Sequence, residues 1–123
     1  FDFDVNKSEN GFKFDSYIQA ILKTNCDIGI FLGFSKIVDP KMLSILKKGI
    51  LSFHTADINF YRGRPSGFYE FVDGSKYGGV TLQRINKDLD KGEIISKKII
   101  DISACRSPDE TLYKMMKMSL EIH

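Results

Sequence analysis

A histidine and an aspartate are the side chains of this sequence best suited to acid–base chemistry. His54 follows the short apolar segment 50–53 and precedes a long loop rich in glycine, arginine and aromatic residues. A histidine can transfer protons near neutral pH because its unperturbed pKa is about 6.5. A single histidine at the end of a strand can equally be structural. His54 therefore indicates a catalytic site only in combination with other features.

Asp90 and a basic loop are those other features. Asp90 lies in the acidic turn of residues 88–92 and leads directly into a predicted strand. Taken alone, it is compatible with an ordinary Asp-containing β-turn. The segment Tyr61-Arg62-Gly63-Arg64-Pro65 is either a solvated basic loop or an anion-binding or lid loop beside His54.

The hydrophobic pattern predicts a scaffold in which helices and strands alternate. The predicted helices cover residues 15–25, 41–46, 67–72 and 107–120, and the predicted strands cover residues 27–34, 50–54, 79–85 and 93–100. The apolar run 27–34 is typical of a strand buried on both faces of a parallel sheet. This rhythm predicts an α/β fold with right-handed crossovers, in which ligands bind at the carboxyl ends of strands.

Helix boundary signals support two of these helices. Asp39-Pro40 is a cap followed by a proline in the first turn, and Gly49 provides the stop. Ser107-Pro-Asp-Glu110 is a start signal for the last helix, whose methionines are expected to be core residues.

Composition limits the class of protein. The 123 residues, 42% hydrophobic and 28% charged with a formal net charge of +2, suit one globular domain spanning residues 1–123. The balance of charge does not demand a nucleic-acid partner, and no apolar run approaches the ~20 residues of a membrane helix. No targeting signal is recognisable, so we expect a cytoplasmic location.

Four ordered motifs resemble a known family. They are Ser52-Phe-His54, Tyr61-Arg62-Gly63, Gly79-Val80-Thr81 and Leu89-Asp90-Lys91-Gly92-Glu93-Ile94. In order and spacing they are similar to the catalytic domain of folate-dependent formyltransferases, which act on methionyl-tRNA, glycinamide ribonucleotide or amino sugars. The resemblance covers essentially the whole chain and implies a Rossmann-like formyltransferase fold, with a mainly parallel sheet flanked by helices.

The resemblance also implies an activity and a set of site residues. The activity is transfer of a formyl group from the co-substrate 10-formyltetrahydrofolate to a primary amine. His54 would handle the proton of the attacking amine, and Asp90 would orient the imidazole or an ordered water. The implied folate-binding residues are Ser35, Lys36, Ile37, Val38, Asp88 and Leu89, and the implied acceptor-binding residues are Arg62, Gly63 and Arg64.

Three departures from the family pattern affect this interpretation. Ser52 stands where the family has an asparagine that donates a hydrogen bond to the formyl oxyanion, and losing such a donor costs about 10²–10³ in rate. Thr55 replaces the proline after the histidine. The amino-terminal strands of the family domain are missing from this chain, so we expect a bare sheet edge, a homodimer or a separate upstream segment.

Several functions remain open at this point. The segment Arg64-Pro65 is more similar to the sugar-modifying branch, which favours an amino sugar on a nucleotide carrier or another small amine over tRNA. A formyltetrahydrofolate hydrolase is a close variant. A catalytically weak or inactive relative that binds folate or a partner is the alternative from another class.

The predicted fold leads to two structural expectations. Residues 27–34 and 50–54 should be parallel neighbours. The Asp90 carboxylate should lie within one hydrogen bond or one bridging water of His54.

Overall fold

The computed structural model describes residues 14–32, 38–62, 65–86 and 92–122 of the chain. In chain order its helices and strands are α1 (Phe14–Thr24), β1 (Gly29–Phe31), α2 (Pro40–Ile45), β2 (Ile50–His54), α3 (Phe68–Val72), β3 (Tyr77–Arg84), β4 (Glu93–Asp101) and α4 (Pro108–Ser119). Each element overlaps a predicted one, although β1 covers only Gly29–Phe31 of the predicted strand 27–34, whose last two residues lie outside the described part of the chain. Within the described residues, no helix has both the length and the apolar character needed to cross a membrane.

The four strands form one sheet in the order β1-β2-β3-β4. β1 and β2 are parallel, with Gly29 opposite Ile50, which confirms the predicted pairing and the α/β class. The other two pairs are antiparallel, so the described sheet is mixed and not mainly parallel. For β3 and β4 the connection explains the direction, because residues 85–92 are too few for the crossover that parallel strands require.

The prediction that residues 27–34 are buried on both faces is wrong for the described part of that segment. Ile30 is 60% exposed and Leu32 is 76% exposed. In the part of the chain that the structure describes, β2 is the sole hydrogen-bonded neighbour of β1, which leaves β1 at an edge. This exposure agrees with the expected bare edge, since an apolar edge strand normally has a further strand or another chain beside it.

Two apolar clusters cover the two faces of the sheet. One contains Val38, Met42, Leu46 and Ile50, and the other contains Val80, Ile102 and Met115. Phe53 packs against the second cluster, whereas Ile50 belongs to the first. Side chains alternate along a strand, so Ser52 and His54 point to the same face as Ile50. The burial of Met42 and Met115 agrees with the expectation that methionines serve the core.

The two predicted caps are present. The Asp39 carboxylate accepts a hydrogen bond from the Lys41 amide at 2.8 Å, and the Ser107 hydroxyl accepts one from the Glu110 amide at 3.1 Å. Each cap supplies an acceptor to an amide that the helix itself leaves without a partner. The Ser107 cap fixes the start of α4, the helix against which the short helix α3 packs.

Gly67 sets the distance between α3 and α4. Its φ is +78°, and a Cβ atom added there would lie 2.9 Å from the backbone nitrogen of Leu112 on α4. Gly67 therefore meets two separate requirements, a left-handed backbone conformation and close approach to a neighbouring helix.

We predict that Gly67→Ala destabilises the fold more than Gly74→Ala. Gly74 also has a positive φ of +64°, but a Cβ there would meet nothing within 4 Å. Both variants bear the left-handed strain of about 1–2 kcal/mol, and Gly67→Ala adds an overpacking cost of about 1–3 kcal/mol. Urea unfolding of the two variants and the parent measures the difference. Equal losses of unfolding free energy would show that α3 is not held at this distance by Gly67.

Candidate active site

Four polar side chains lie together on one face of the antiparallel pair β2–β3. Ser52 is opposite Gln83, and His54 is opposite Thr81. Directly opposed residues of an antiparallel pair project from the same face, with Cβ atoms about 4.5–5.5 Å apart. Ser52, Thr81 and Gln83 are buried, and His54 is partly buried. The central strands therefore carry a compact polar patch in place of the usual apolar contacts.

A backbone carbonyl orients the His54 ring from one side. Its Nε2 lies 3.1 Å from the carbonyl oxygen of Tyr61. A carbonyl oxygen only accepts hydrogen bonds, so Nε2 must carry a proton and donate it. In the neutral imidazole the lone pair is then on Nδ1.

A buried hydroxyl holds the loop that supplies this carbonyl. The Thr81 hydroxyl donates to the carbonyl of Ala56 at 2.9 Å and accepts from the amide of Ile58 at 3.4 Å. Tyr61 then closes a turn by donating its amide to the carbonyl of Asp57 at 2.8 Å. Because Thr81 is itself opposite His54, a single strand register places both the imidazole and the loop that orients it.

An ion pair with a residue of the neighbouring strand β4 also anchors this loop. Lys97 Nζ lies 2.8 Å from the Asp57 carboxylate, whose side chain is only 10% exposed. The second oxygen of Asp57 accepts a hydrogen bond from the Asn59 amide at 3.1 Å. Removing Lys97 would leave a largely buried negative charge without its cation, and the loss of one partner of a buried ion pair is strongly destabilising.

Arg62 also contributes to the structure of this loop. Its Nε donates to the carbonyl of Ile58 at 3.0 Å, and the residue as a whole is exposed. One of the five guanidinium N–H groups is therefore committed to the backbone. The implied role of Arg62 in acceptor binding stays a prediction, because no contact of the described residues tests it.

Glu70 is a site-adjacent residue that the sequence did not single out. It is 1% exposed, its Oε2 accepts the Gly67 amide at 3.1 Å, and its Oε1 has no hydrogen-bond partner among the described residues. Burial raises the pKa of the Glu70 carboxyl, while backbone hydrogen bonds and the charge of His54 act in the opposite direction. A charged residue inside the apolar segment Phe68-Tyr-Glu-Phe-Val72 was the available signal.

Comparison with known proteins identifies the family. The sequence model described as "Formyl transferase" matches residues 4–121 of the chain. The chain belongs to the formyl transferase family. A methionyl-tRNA formyltransferase of Thermodesulfovibrio yellowstonii is 31% identical over 91 residues, which are 74% of this chain and 30% of that protein. The chain thus spans about a third or less of the length of the curated relatives it matches.

Solved structures share the fold. The phosphoribosylglycinamide formyltransferase from Streptococcus pneumoniae matches with a TM-score of 0.81 at 20% identity, covering 98% of this chain and 68% of that one. A formyltetrahydrofolate deformylase from Pseudomonas syringae pv. tomato also has a TM-score of 0.81, at 16% identity, covering 89% and 37%. At these identities the similarity shows a common Rossmann-like fold, which formyl-transferring and formyl-removing proteins both use.

The structure brings together part of the residue set that the family resemblance implies. Ser52 and His54 lie on one face of β2, as expected. Val38 is buried in the cluster with Ile50, so its side chain is a core residue and a folate contact through its backbone remains a prediction. The remaining implied residues lie outside the described part of the chain: Ser35, Lys36, Ile37, Gly63, Arg64, Asp88, Leu89 and Asp90.

The predicted contact between Asp90 and His54 stays a prediction, because Asp90 lies outside the described residues. β3 ends beside Ile50, whose carbonyl accepts the Ile85 amide, whereas His54 is at the opposite end of β2. Three register steps separate the Leu51–Arg84 pair from the His54–Thr81 pair, a distance of about 10 Å.

No three His, Cys, Asp or Glu side chains in the described ranges are grouped closely enough to hold a metal ion.

We predict that Glu70→Gln makes stability less dependent on pH. A raised folded-state pKa means that the folded protein binds this proton more tightly than the unfolded chain does. The resulting stability is present below the ordinary pKa of glutamate and is lost as pH rises through the folded-state value. Glutamine keeps an acceptor for the Gly67 amide and does not ionise, so the loss should be smaller in the variant.

Urea unfolding at about pH 5 and about pH 7.5 measures this effect, because that interval lies above the ordinary carboxyl pKa of about 4.3. Glu121→Gln is the matched control, since Glu121 is exposed near the end of the described chain. An unfolding free energy that changes equally with pH in the parent and Glu70→Gln would contradict the assigned effect of burial.

Proposed function

We propose that the protein containing this chain transfers the formyl group of 10-formyltetrahydrofolate to a primary amine of a small metabolite. One observation carries the proposal: a chain of the formyl transferase family presents a histidine whose Nε2 is fixed by the Tyr61 carbonyl beside a buried polar patch. A positioned imidazole with a defined accepting nitrogen is what proton transfer from an attacking amine requires.

The chemistry assigned to the site is acyl transfer through a tetrahedral adduct. The amine nitrogen forms a bond to the formyl carbon, and the carbonyl oxygen becomes an oxyanion. His54 Nδ1 takes the proton that the amine loses, and that proton passes to N10 of the folate as the bond from the formyl carbon to N10 breaks. The products are a formamide and tetrahydrofolate, so neither an oxidant nor a reductant is needed.

The remaining assignments follow the same proposal. Residues 35–38 and 88–89 would hold the folate, and Arg62, Gly63 and Arg64 would contact the acceptor. Asp90 would orient an ordered water, or the imidazole once Nδ1 has taken the proton. The parallel pair β1–β2 supports a folate site after β1, because the carboxyl ends of both strands lie at one edge of the sheet. The proposed acceptor is a small amine, with an amino sugar nucleotide as the first candidate. The proposed location is cytoplasmic. A homodimer contact or an upstream segment is proposed to cover β1.

We predict that His54→Ala lowers formyl transfer by about 10²–10⁴, the usual contribution of a positioned acid–base group. The measurement is tetrahydrofolate release by the longest natural form of the protein, with 10-formyltetrahydrofolate and a panel of amines. His123→Ala, which alters the second histidine of the chain, is the matched control. A near-parent rate in His54→Ala would remove the histidine from the mechanism.

The same assay separates the competing functions. Product formation that depends on an added amine supports transfer, and the amine that gives the highest kcat/KM identifies the acceptor class. Release of formate and tetrahydrofolate without an amine would instead support the hydrolase. Folate binding by calorimetry without turnover under any condition would support the non-catalytic relative and contradict the proposal.

A further inference from the structure

Gln83 occupies the position on β3 directly opposite Ser52. Both side chains are buried, at 6% and 7% exposure, and both point to the face that carries His54. Cross-strand partners of this kind have Cβ atoms about 4.5–5.5 Å apart, so the two polar side chains reach the same small volume. Gln83 took no part in the motifs from which the site was predicted.

The hydrogen bonds of the patch distinguish Gln83 from its neighbour on the strand. Thr81 has a complete set of partners, because its hydroxyl donates to Ala56 and accepts from Ile58. The carboxamide oxygen of Gln83 is buried and has no hydrogen-bond partner within the described residues. A buried polar atom without a partner costs about 1–3 kcal/mol, and native structures retain few of them. A ligand that supplies the missing partner is a physical reason to keep one here.

A carboxamide is the chemical group this site needs. An oxyanion that forms on the formyl oxygen requires an N–H or O–H donor aimed at it. Ser52 offers a single hydroxyl on a short side chain, whereas glutamine offers two N–H donors and an acceptor on a longer one. The oxyanion is itself an acceptor, so it binds Gln83 only after a rotation about the last side-chain bond, which places an N–H group where the amide oxygen, unpartnered among the described residues, lies.

Building on the proposed function, we propose that the Gln83 carboxamide binds the formyl oxygen and is the principal oxyanion donor of the site. The donor then comes from β3, across the strand pair from Ser52. Its placement relative to His54 is suitable, because diagonal neighbours on an antiparallel pair are about 7–8 Å apart. That gap accommodates one reacting carbon between a donor on one side and a proton acceptor on the other.

The chain around Gln83 supports a location at the centre of the site. A Cβ atom added to Gly92 would lie 3.2 Å from the Gln83 amide oxygen and 2.1 Å from the carbonyl oxygen of Arg84. Glycine at position 92 thus lets the end of the β3–β4 turn pass close to this carboxamide.

The test is Gln83→Met, which keeps side-chain length and volume but removes both N–H donors. In the longest natural form of the protein we expect kcat to fall about 10²–10³ with a much smaller change in KM for the folate. Stability should hold or rise, because the substitution also removes an unpaired buried acceptor. Gln19→Met is the matched control, since Gln19 is exposed on α1. A folded Gln83→Met with the parent kcat would overturn the proposal.

A second variant and a rescue keep the test decisive. Gln83→Asn retains the carboxamide one methylene nearer the backbone, and the displaced donor should lower kcat at least tenfold, because a shift of about 1 Å can cost 10²-fold. If Gln83→Met does not fold, an unchanged kcat in Gln83→Asn overturns the proposal in its place.

Ser52→Asn added to Gln83→Met returns a carboxamide from β2 and should recover most of the lost kcat. Failure of the double variant to exceed Gln83→Met would count against an oxyanion role.

The outcomes also separate this proposal from the function on which it rests. Turnover that His54→Ala abolishes and Gln83→Met leaves intact removes only Gln83 from the mechanism. Absence of folate turnover in the parent, with or without an amine, overturns both. Loss of kcat in both single variants and rescue by Ser52→Asn supports both.

Discussion

The antiparallel register between β2 and β3 is the constraint on which the site depends. It sets Ser52 against Gln83 and His54 against Thr81. A slip of one residue would turn one strand over relative to the other, sending either Phe53 or Leu82 to the polar face and the polar residues of that strand into the apolar cluster. That exchange would bury polar groups without partners and expose apolar ones, so the hydrophobic pattern of β2 and β3 itself opposes the slip.

The register also controls residues beyond the two strands. Thr81 faces His54 and at the same time binds Ala56 and Ile58, so the loop after β2 is attached to the strand next to the one it leaves. That attachment brings the Tyr61 carbonyl to His54 Nε2 and selects the tautomer of the ring. The Thr81 hydroxyl therefore connects the pairing of β2 with β3 to the choice of which His54 ring nitrogen carries the proton. Its loss would alter the chemistry of His54 without touching the histidine.

Features encoded locally were predictable from the sequence. The α2 and α4 helices begin at proline residues after Asp39 and Ser107, and those signals act within one helical turn. β2 was recognisable because the short, mainly apolar segment 50–54 follows the helix stop at Gly49 and precedes a long loop. The family resemblance added the roles of Ser52 and His54, which no local pattern conveys.

Features that depend on pairing between distant segments were not predictable. The apolar run containing Ile30 and Leu32 looks the same whether the strand is central or at an edge, so its exposure could not be inferred from periodicity. The antiparallel direction of β3 and β4 follows from where the chain turns. Gln83 and Glu70 became notable only through their neighbours, since a glutamine in a strand or a glutamate in a helix is ordinary until its burial is known.

The two buried acids near the site have different electrostatic surroundings. Asp57 faces the Lys97 ammonium at 2.8 Å and acts as an anchor for the loop. Glu70 has no cation within hydrogen-bond distance among the described residues, burial raises its pKa, and His54 is the positive group that acts on it. Burial thus outweighs the charge of His54 in setting the pKa of Glu70, whereas Asp57 has a cation directly beside it.

These contacts show how the buried polar groups around His54 are used. Asp57 and Thr81 hold the loop that carries the Tyr61 carbonyl, and Glu70 accepts the Gly67 amide at the start of α3. Each of these side chains fixes a piece of backbone. The Gln83 carboxamide oxygen differs from them because it has no hydrogen-bond partner among the described residues, so the Gln83–Ser52 pair is the part of the patch left to meet a substrate.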